Sequence, residues 1–275
     1  MERSRLRQGN EVPKQWRVAE QESVPKAGRE RSEDGFLPGP DCFAVLDGVS
    51  SGDSPERIEG LTPGQFAVHI GIEALQAAAQ LDTKEEVVSF ISARLKEAVR
   101  RYELITIPSF VFVAFFPKWN TIIRVGDSLY TMRHRDGEWK GHNPGHKVDA
   151  DKEVVRQELL KRERGRGATE EELLAHDPTR HRMRRITREW QPQFRNKPDA
   201  GERGYGVITG EQVFHIEYIP VGDDISDIIL ATDWYYPEAL KGTSAESEVA
   251  QRELIATNRL AWHEDDRTYL RIEKK

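Results

Sequence analysis

Residues 42–48 read CFAVLDG, a short apolar run that ends in a carboxylate, and this stretch guides the interpretation of the whole chain. An apolar run of roughly four to eight residues bounded by turn formers is typical of a buried strand. Residues 122–125 lead in the same way into a Gly-Asp-Ser turn at Asp127, and residues 228–232 lead into Asp233. The sequence therefore predicts buried strands with acidic side chains at their ends.

Other segments predict an α+β protein with helices that cover a sheet. Apolar residues at helical spacing predict helices from Thr62 to about residue 81, from about 83 to 102, and over 237–261. The segments within 110–141 look like a β-meander. The three segments of this meander are 110–116, 121–136 and 137–141. The remaining strands are predicted over 16–24, 205–209, 213–220 and 268–273.

Three segments differ from the rest in composition. Residues 151–199 are highly charged, which predicts two or three short surface helices inserted between strands. The polar residues 1–14 predict a disordered tail, so that residues 15–275 form the folded domain. Residues 49–60 are rich in Gly, Ser and Pro and predict a loop.

Composition and charge exclude several classes of protein. With 41 basic and 47 acidic residues the net charge is −6, so the chain as a whole is not a binder of polyanions. The single cysteine, Cys42, excludes an internal disulfide and a cysteine-based zinc site, and its apolar neighbours predict a buried thiol. No apolar run approaches the roughly 20 residues of a membrane span, and the first residues lack the apolar segment of a secretory signal. We therefore expect a cytoplasmic protein.

The acidic residues at the strand ends form a candidate metal site. Asp47, Asp127 and Asp233 follow buried strands, and Asp265 and Asp266 stand directly before the last strand. Several carboxylates at one sheet edge repel one another unless a cation lies between them, and oxygen ligands favour Mg²⁺ or Mn²⁺ over zinc. Each Asp by itself is also an ordinary turn residue. The set, rather than any single member, indicates a metal site.

Five short motifs, in order along the chain, resemble the type 2C metal-dependent protein phosphatases (the PPM family, here closest to bacterial members). They are Arg29-x-x-x-Glu33-Asp34, FAVLDGVSS (43–51), RVGDSLYTMR (124–133), GYGVIT with DIILATD (204–209 and 227–233) and DDRT (265–268). The resemblance implies a four-layer α-β-β-α sandwich of two antiparallel sheets flanked by helices, with residues 151–199 as a charged helical flap. It also implies hydrolysis of phosphoserine or phosphothreonine on a phosphoprotein, the product of a serine/threonine kinase.

The resemblance further implies a metal centre of two Mn²⁺ or Mg²⁺ ions that activate a water molecule. Asp47 would bridge the two ions, with the Gly48 carbonyl as a further ligand. Asp233 and Asp265 would complete this site. Asp127 would join Asp233 at a third, weaker metal position that related members have.

Substrate binding and water positioning are assigned by the same resemblance. Arg29 would bind the phosphate, which a planar guanidinium fits bidentately, and Glu33 and Asp34 would hold metal-bound waters. Two residues depart from the family pattern. Trp234 stands where the family has Gly, and would either restrict the metal site or form an aromatic wall against the substrate. Asp266 replaces Asn, and would either hold a metal-bound water as Asn does or raise the number of cations that the site requires.

Alternative functions follow from these departures and from the basic stretch 180–197. A pseudophosphatase that acts as a protein-binding regulatory module would explain Trp234. A two-metal nuclease would use the basic stretch to bind nucleic acid, and docking of an acidic phosphopeptide is another role for it. A solvated flap surface is the preferred interpretation, and no nucleic-acid partner is expected. Among the histidines, His146 resembles one that follows the family's central hairpin, His142 is expected in a surface loop, and His263 is a candidate general acid.

Overall fold

The computed structural model describes residues 16–49, 57–104, 106–141, 146–175, 178–257 and 265–275. The tail predicted over 1–14 and part of the loop predicted over 49–60 lie outside these ranges. Within them, no helix has both the length and the apolar composition needed to cross a membrane.

In the described part of the chain, ten strands form two sheets of five strands each. In chain order they are β1 (Trp16–Val24), β2 (Gly35–Pro38), β3 (Phe43–Val49), β4 (Ser109–Phe116), β5 (Thr121–Val125), β6 (Leu129–His134), β7 (Trp139–Lys140), β8 (Ile216–Pro220), β9 (Ile225–Ala231) and β10 (Arg267–Lys274). The first sheet has the order β1-β10-β9-β6-β7 and the second sheet the order β2-β3-β4-β5-β8. All neighbouring strands are antiparallel.

Six α-helices complete the described structure. They are α1 (Pro63–Ala78), α2 (Val87–Arg101), α3 (Lys147–Gly165), α4 (Glu170–Ala175), α5 (Arg180–Phe194) and α6 (Ser244–Thr257). The start of α1 is fixed by a capping box, in which the Thr62 hydroxyl accepts the Gln65 N–H and the Gln65 side chain accepts the Thr62 N–H. Pro63 occupies the first helical position, where its missing N–H costs nothing.

The two sheets enclose one core and present further cores to the helices. Alternation along β3 directs Phe43 and Val45 between the sheets, whereas Ala44 and Leu46 face the core beneath α1 and α2. The outer face of the first sheet packs under the segment that follows β9, which α6 holds through Gln251. The predicted four-layer α-β-β-α arrangement is confirmed. Cys42 is 2% exposed, as its apolar neighbours predict.

The predicted meander over 110–141 is wrong in one respect. β4 and β5 pair in the second sheet, but β6 and β7 belong to the first, so the turn at 126–128 carries the chain from one sheet to the other. Gly126 makes this crossing with φ +91°, and a Cβ there would lie 2.3 Å from Val111 Cγ1. The crossing places Asp127 at the junction between the sheets.

The other boundaries differ from the predictions for local reasons. Residues 205–209 form only an isolated bridge, in which Ile208 pairs with Phe110 of β4. The backbone of Val207 instead pairs with the Asn196 side chain, which accepts the Val207 N–H (3.0 Å) and donates to its carbonyl (2.7 Å). The charged segment 151–199 is helical as predicted, but α3 begins earlier, at Lys147, and is 19 residues long. Helix α6 begins at Ser244, later than predicted, after a short 3-10 turn at Pro237–Ala239.

Candidate functional site

The sheet topology brings the predicted site residues to one end of the sandwich. The ends of β3 and β5 share an edge with the start of β4, and the ends of β1 and β9 share an edge with the start of β10. Asp47 lies near the end of β3, and Asp127 and Asp233 follow β5 and β9. Asp265 precedes β10. The loop between β1 and β2, which crosses from the first sheet to the second, carries Arg29, Glu33 and Asp34.

Asp47 and Asp233 form the centre of the carboxylate cluster. Their carboxyl groups lie within hydrogen-bond reach of each other, and the two acids repel one another when both are charged. Loss of hydration raises the pKa of both groups well above the usual value, and repulsion from Asp127 adds to the effect. Asp47 is nevertheless half-buried and Asp233 exposed, so solvent reaches these two residues. The cluster is therefore short of positive charge and accessible from outside.

Asp34 lies beside this centre on the β1–β2 loop. Desolvation raises its pKa well above the usual value, followed by repulsion from Asp266, and a hydrogen bond with Thr232 opposes both. Its Oδ2 atom is buried and has no hydrogen-bond partner among the described residues. A buried carboxylate oxygen without a donor is costly, and a cation or an ordered water would satisfy it.

Asp127 connects the cluster to the flap. Desolvation raises its pKa, and the nearby His146, which directly precedes α3, acts in the opposite direction. The His146 ring lies 5.5 Å from the Tyr205 ring, on the segment that leaves the flap. The flap thus begins and ends close to Asp127. His142 and His263 lie outside the described residues.

Arg29 and Glu33 form an ion pair that anchors to α1. Arg29 Nη1 lies 2.8 Å from Glu33 Oε2, and the Glu33 side chain is 4% exposed. The Thr62 hydroxyl, at the start of α1, donates to Glu33 Oε1 over 2.5 Å. Arg29 itself is 31% exposed, so part of its guanidinium faces solvent. Thr62 was not among the predicted site residues, and its Thr-Pro helix start is the only sequence signal that marks it.

Asp265 and Asp266 have different environments despite being neighbours. Asp265 is 59% exposed and lies 2.8 Å from Lys26 Nζ. It also lies close enough to Asp34, Asp47 and Asp233 to raise the pKa of each. Asp266 is buried, and its carboxylate accepts the backbone N–H groups of Lys26 and Glu33. Asp265 therefore belongs to the cluster, whereas Asp266 holds the β1–β2 loop.

Trp234 does not form a wall towards the site. It is 8% exposed and packs with Tyr235, Leu240 and Tyr269 against the outer face of the first sheet. Its backbone carbonyl accepts a hydrogen bond from the Gln251 side chain, and the Arg267 guanidinium lies 5.2 Å from its ring. Burial of this ring fixes the segment after Asp233, and the interpretation of Trp234 as an aromatic substrate wall is wrong.

Gly48 is required by close packing beside the cluster. A Cβ at this position would lie 2.5 Å from the Glu33 carbonyl and 2.9 Å from the Gly64 backbone. Gly48→Ala is therefore expected to lower the free energy of unfolding by about 1–3 kcal/mol in urea denaturation. The matched control is Gly165→Ala at the end of α3, where an added Cβ would meet no neighbouring residue within 4 Å. This variant should be neutral or stabilising. Equal stability of both variants would contradict this packing.

Solved structures with the same architecture provide the comparison. The Mycobacterium tuberculosis serine/threonine phosphatase PstP/Ppp matches with a TM-score of 0.56 and 17% identity, over 95% of this chain and 99% of that one. The chain has the PPM phosphatase fold. The catalytic domain of PstP in complex with two manganese ions matches with a TM-score of 0.53 and 16% identity, over 94% and 98% of the two chains. Stp1 from Staphylococcus aureus matches with a TM-score of 0.53 and 12% identity, over 94% and 95%. No protein-family model and no curated protein matches the sequence.

The residue types at this end of the sandwich suit divalent cations. The donors are carboxylates, which are hard oxygen ligands that Mg²⁺ and Mn²⁺ prefer. The repulsion between Asp47 and Asp233 and the unpaired Oδ2 of Asp34 are both features that a cation would relieve. Among the described residues, no three Asp, Glu, His or Cys side chains form a ready-made coordination group. The donor set fits such ions, and their binding would require the carboxylates to adjust.

Proposed function

We propose that the protein is a metal-dependent phosphatase that hydrolyses phosphoserine and phosphothreonine on proteins with two Mn²⁺ or Mg²⁺ ions. The observation that carries the proposal is the cluster of Asp34, Asp47, Asp127, Asp233 and Asp265 at one end of a PPM fold. Without bound cations these carboxylates repel one another and lose hydration, which raises the free energy of the folded protein. Bound cations would offset this cost.

The metal ligands would come from the strand ends. Asp47 would hold both ions with the Gly48 carbonyl beside it, and Asp233 and Asp265 would complete the set. Asp127 would join Asp233 at a third position next to the flap. Held by these residues, divalent cations would supply Lewis acidity, which lowers the pKa of a bound water and stabilises negative charge on a phosphoryl group.

The remaining site residues would bind and orient. Arg29 would bind the phosphate oxygens through its guanidinium fork, and its ion pair with Glu33 would hold it in place. Asp34 would hold a water at the metal centre through its unpaired Oδ2. No side chain has to act as a nucleophile in this scheme. The buried Cys42, whose pKa burial raises, accordingly has no catalytic part.

The carboxylate cluster should also limit the stability of the metal-free protein. Asp233→Asn removes one of two carboxyl groups that repel each other, so the free energy of unfolding without metal is expected to rise by about 1 kcal/mol. The same variant should lose most of the thermal stabilisation that Mn²⁺ gives the wild-type protein. Thermal unfolding with and without Mn²⁺ measures both effects. The control is Asp199→Asn at an exposed position, which should change neither.

Phosphopeptides provide the test of the proposed substrate class. With Mn²⁺ present, the protein should release phosphate from phosphoserine and phosphothreonine peptides faster than from a phosphotyrosine peptide. Addition of EDTA should abolish the release.

A regulatory pseudophosphatase is the second candidate. The ion pair between Lys26 and Asp265 favours it, because the Lys26 ammonium binds a carboxylate that is proposed as a metal ligand. Absence of both hydrolysis and Mn²⁺ binding in calorimetry would support the pseudophosphatase and contradict the phosphatase.

A further inference from the structure

Asp266 occupies a position where neither metal binding nor substrate binding in the proposed scheme needs a carboxylate. Its side chain is 4% exposed. Oδ1 accepts the backbone N–H of Lys26 over 2.7 Å, and Oδ2 accepts the backbone N–H of Glu33 over 2.9 Å. One side chain just before β10 thus holds both ends of the loop segment 26–33, more than 230 positions away in sequence.

The chemistry of this contact requires a carboxylate. Both oxygens of an ionised Asp accept hydrogen bonds, whereas Asn has one acceptor oxygen and one NH₂ donor. With Asn at this position, the NH₂ group would point at a backbone N–H and one buried donor would be left unpaired. The two oxygens of Asp266 therefore match the two backbone N–H groups that the loop presents, those of Lys26 and Glu33.

Arg29 lies inside the segment that Asp266 holds. The Arg29 N–H donates to the Lys26 carbonyl over 3.1 Å, which closes a turn, and Gly28 within it has φ +81°. Arg29 Nη1 lies 2.8 Å from Glu33 Oε2 and 3.7 Å from Asp266 Oδ2. Both the backbone and the guanidinium of Arg29 are thereby tied to groups that Asp266 contacts.

We infer that Asp266 is a positioning residue that fixes the loop segment 26–33 and so orients Arg29 towards the substrate phosphate. The orienting part of this inference depends on the proposed phosphatase function. The fixing of the loop does not, because it depends only on the hydrogen bonds of Asp266.

Two variants separate positioning from charge. Asp266→Asn removes one acceptor and the charge. Asp266→Glu keeps the charge, but its longer side chain cannot place both oxygens at the same two amides. If Asp266 positions the loop, both variants should raise KM for p-nitrophenyl phosphate by about tenfold or more. They should raise the inhibition constant of inorganic phosphate by a similar factor. The turnover number and the Mn²⁺ affinity should each change by less than about threefold. Asp224→Asn, which removes a carboxylate that contacts His134 instead, is the control.

Amide hydrogen exchange tests the loop without substrate or metal. In both variants the amides of Lys26 and Glu33 should exchange about ten- to a hundredfold faster. Amides of β4 and β9 should keep their protection and serve as the internal reference for an intact fold. Recovery of wild-type kinetics by Asp266→Glu would show that charge is what matters and would overturn the inference. Unchanged exchange at Lys26 and Glu33 would also overturn it. If the wild-type protein hydrolyses no phosphate ester, the proposed function fails instead, and the exchange data alone decide whether Asp266 fixes the loop.

Discussion

Asp47→Asn is expected to reduce Mn²⁺-dependent hydrolysis of p-nitrophenyl phosphate by about a thousandfold or more. Asp47 lies near the end of β3, at the centre of the carboxylate cluster and beside Asp233. An amide keeps the size of the side chain but removes the charge and one of the two oxygens that could bridge two cations. The variant should therefore fold, bind Mn²⁺ weakly and hydrolyse slowly.

The control for Asp47 lies at the other end of the same segment. Asp41 is exposed, just before β3, and Asp41→Asn makes the same chemical change away from the cluster. This control should keep wild-type activity. Activity of Asp47→Asn within a few-fold of the wild-type protein would show that Asp47 is not a metal ligand, and the site assignment would then be wrong.

Arg29→Ala is expected to affect the substrate rather than the metal. Loss of a bidentate contact with phosphate should lower kcat/KM by about a hundredfold, mostly through KM. Mn²⁺ binding measured by calorimetry should stay near the wild-type value, because no predicted ligand is removed. Arg29→Lys keeps the charge without the planar fork and should recover only part of the loss.

The control for Arg29 is Arg17→Ala, which removes an exposed arginine that pairs with Glu273. That variant should have wild-type kinetics. If Arg29→Ala instead lost Mn²⁺ binding with KM unchanged, Arg29 would act through the metal centre and not through phosphate.

Much of the fold follows from local sequence. The short apolar runs that end in Asp47 and Asp233 predict buried strands, and antiparallel pairing then brings their ends to one edge. The crossing at Gly126 could not be predicted in this way, because a Gly-Asp-Ser turn suits a hairpin equally well. Which sheet the next strand joins depends on packing between sheets, here on the approach of Gly126 to Val111.

The candidate site was predictable as a set of residue types, but not as a set of contacts. The carboxylates at the strand ends indicate that their negative charge must be compensated. The sequence does not show which groups compensate it. Asp266 is the clearest case, because its partners Lys26 and Glu33 become visible only once the first and last strands pair. Trp234 is the converse case, since its burial under the outer layer removes it from the site that its sequence position suggested.

Hydrolysis of p-nitrophenyl phosphate by the purified protein, with and without Mn²⁺ and beside Asp233→Asn, tests the central claim most directly. Asp233 is exposed at the cluster and lies beside Asp47, so its replacement should disable the proposed metal centre without unfolding the chain. We predict activity that requires Mn²⁺ and is lost in the variant. Activity that does not depend on Mn²⁺, or that survives in Asp233→Asn, would contradict the claim that these carboxylates hold the catalytic metals.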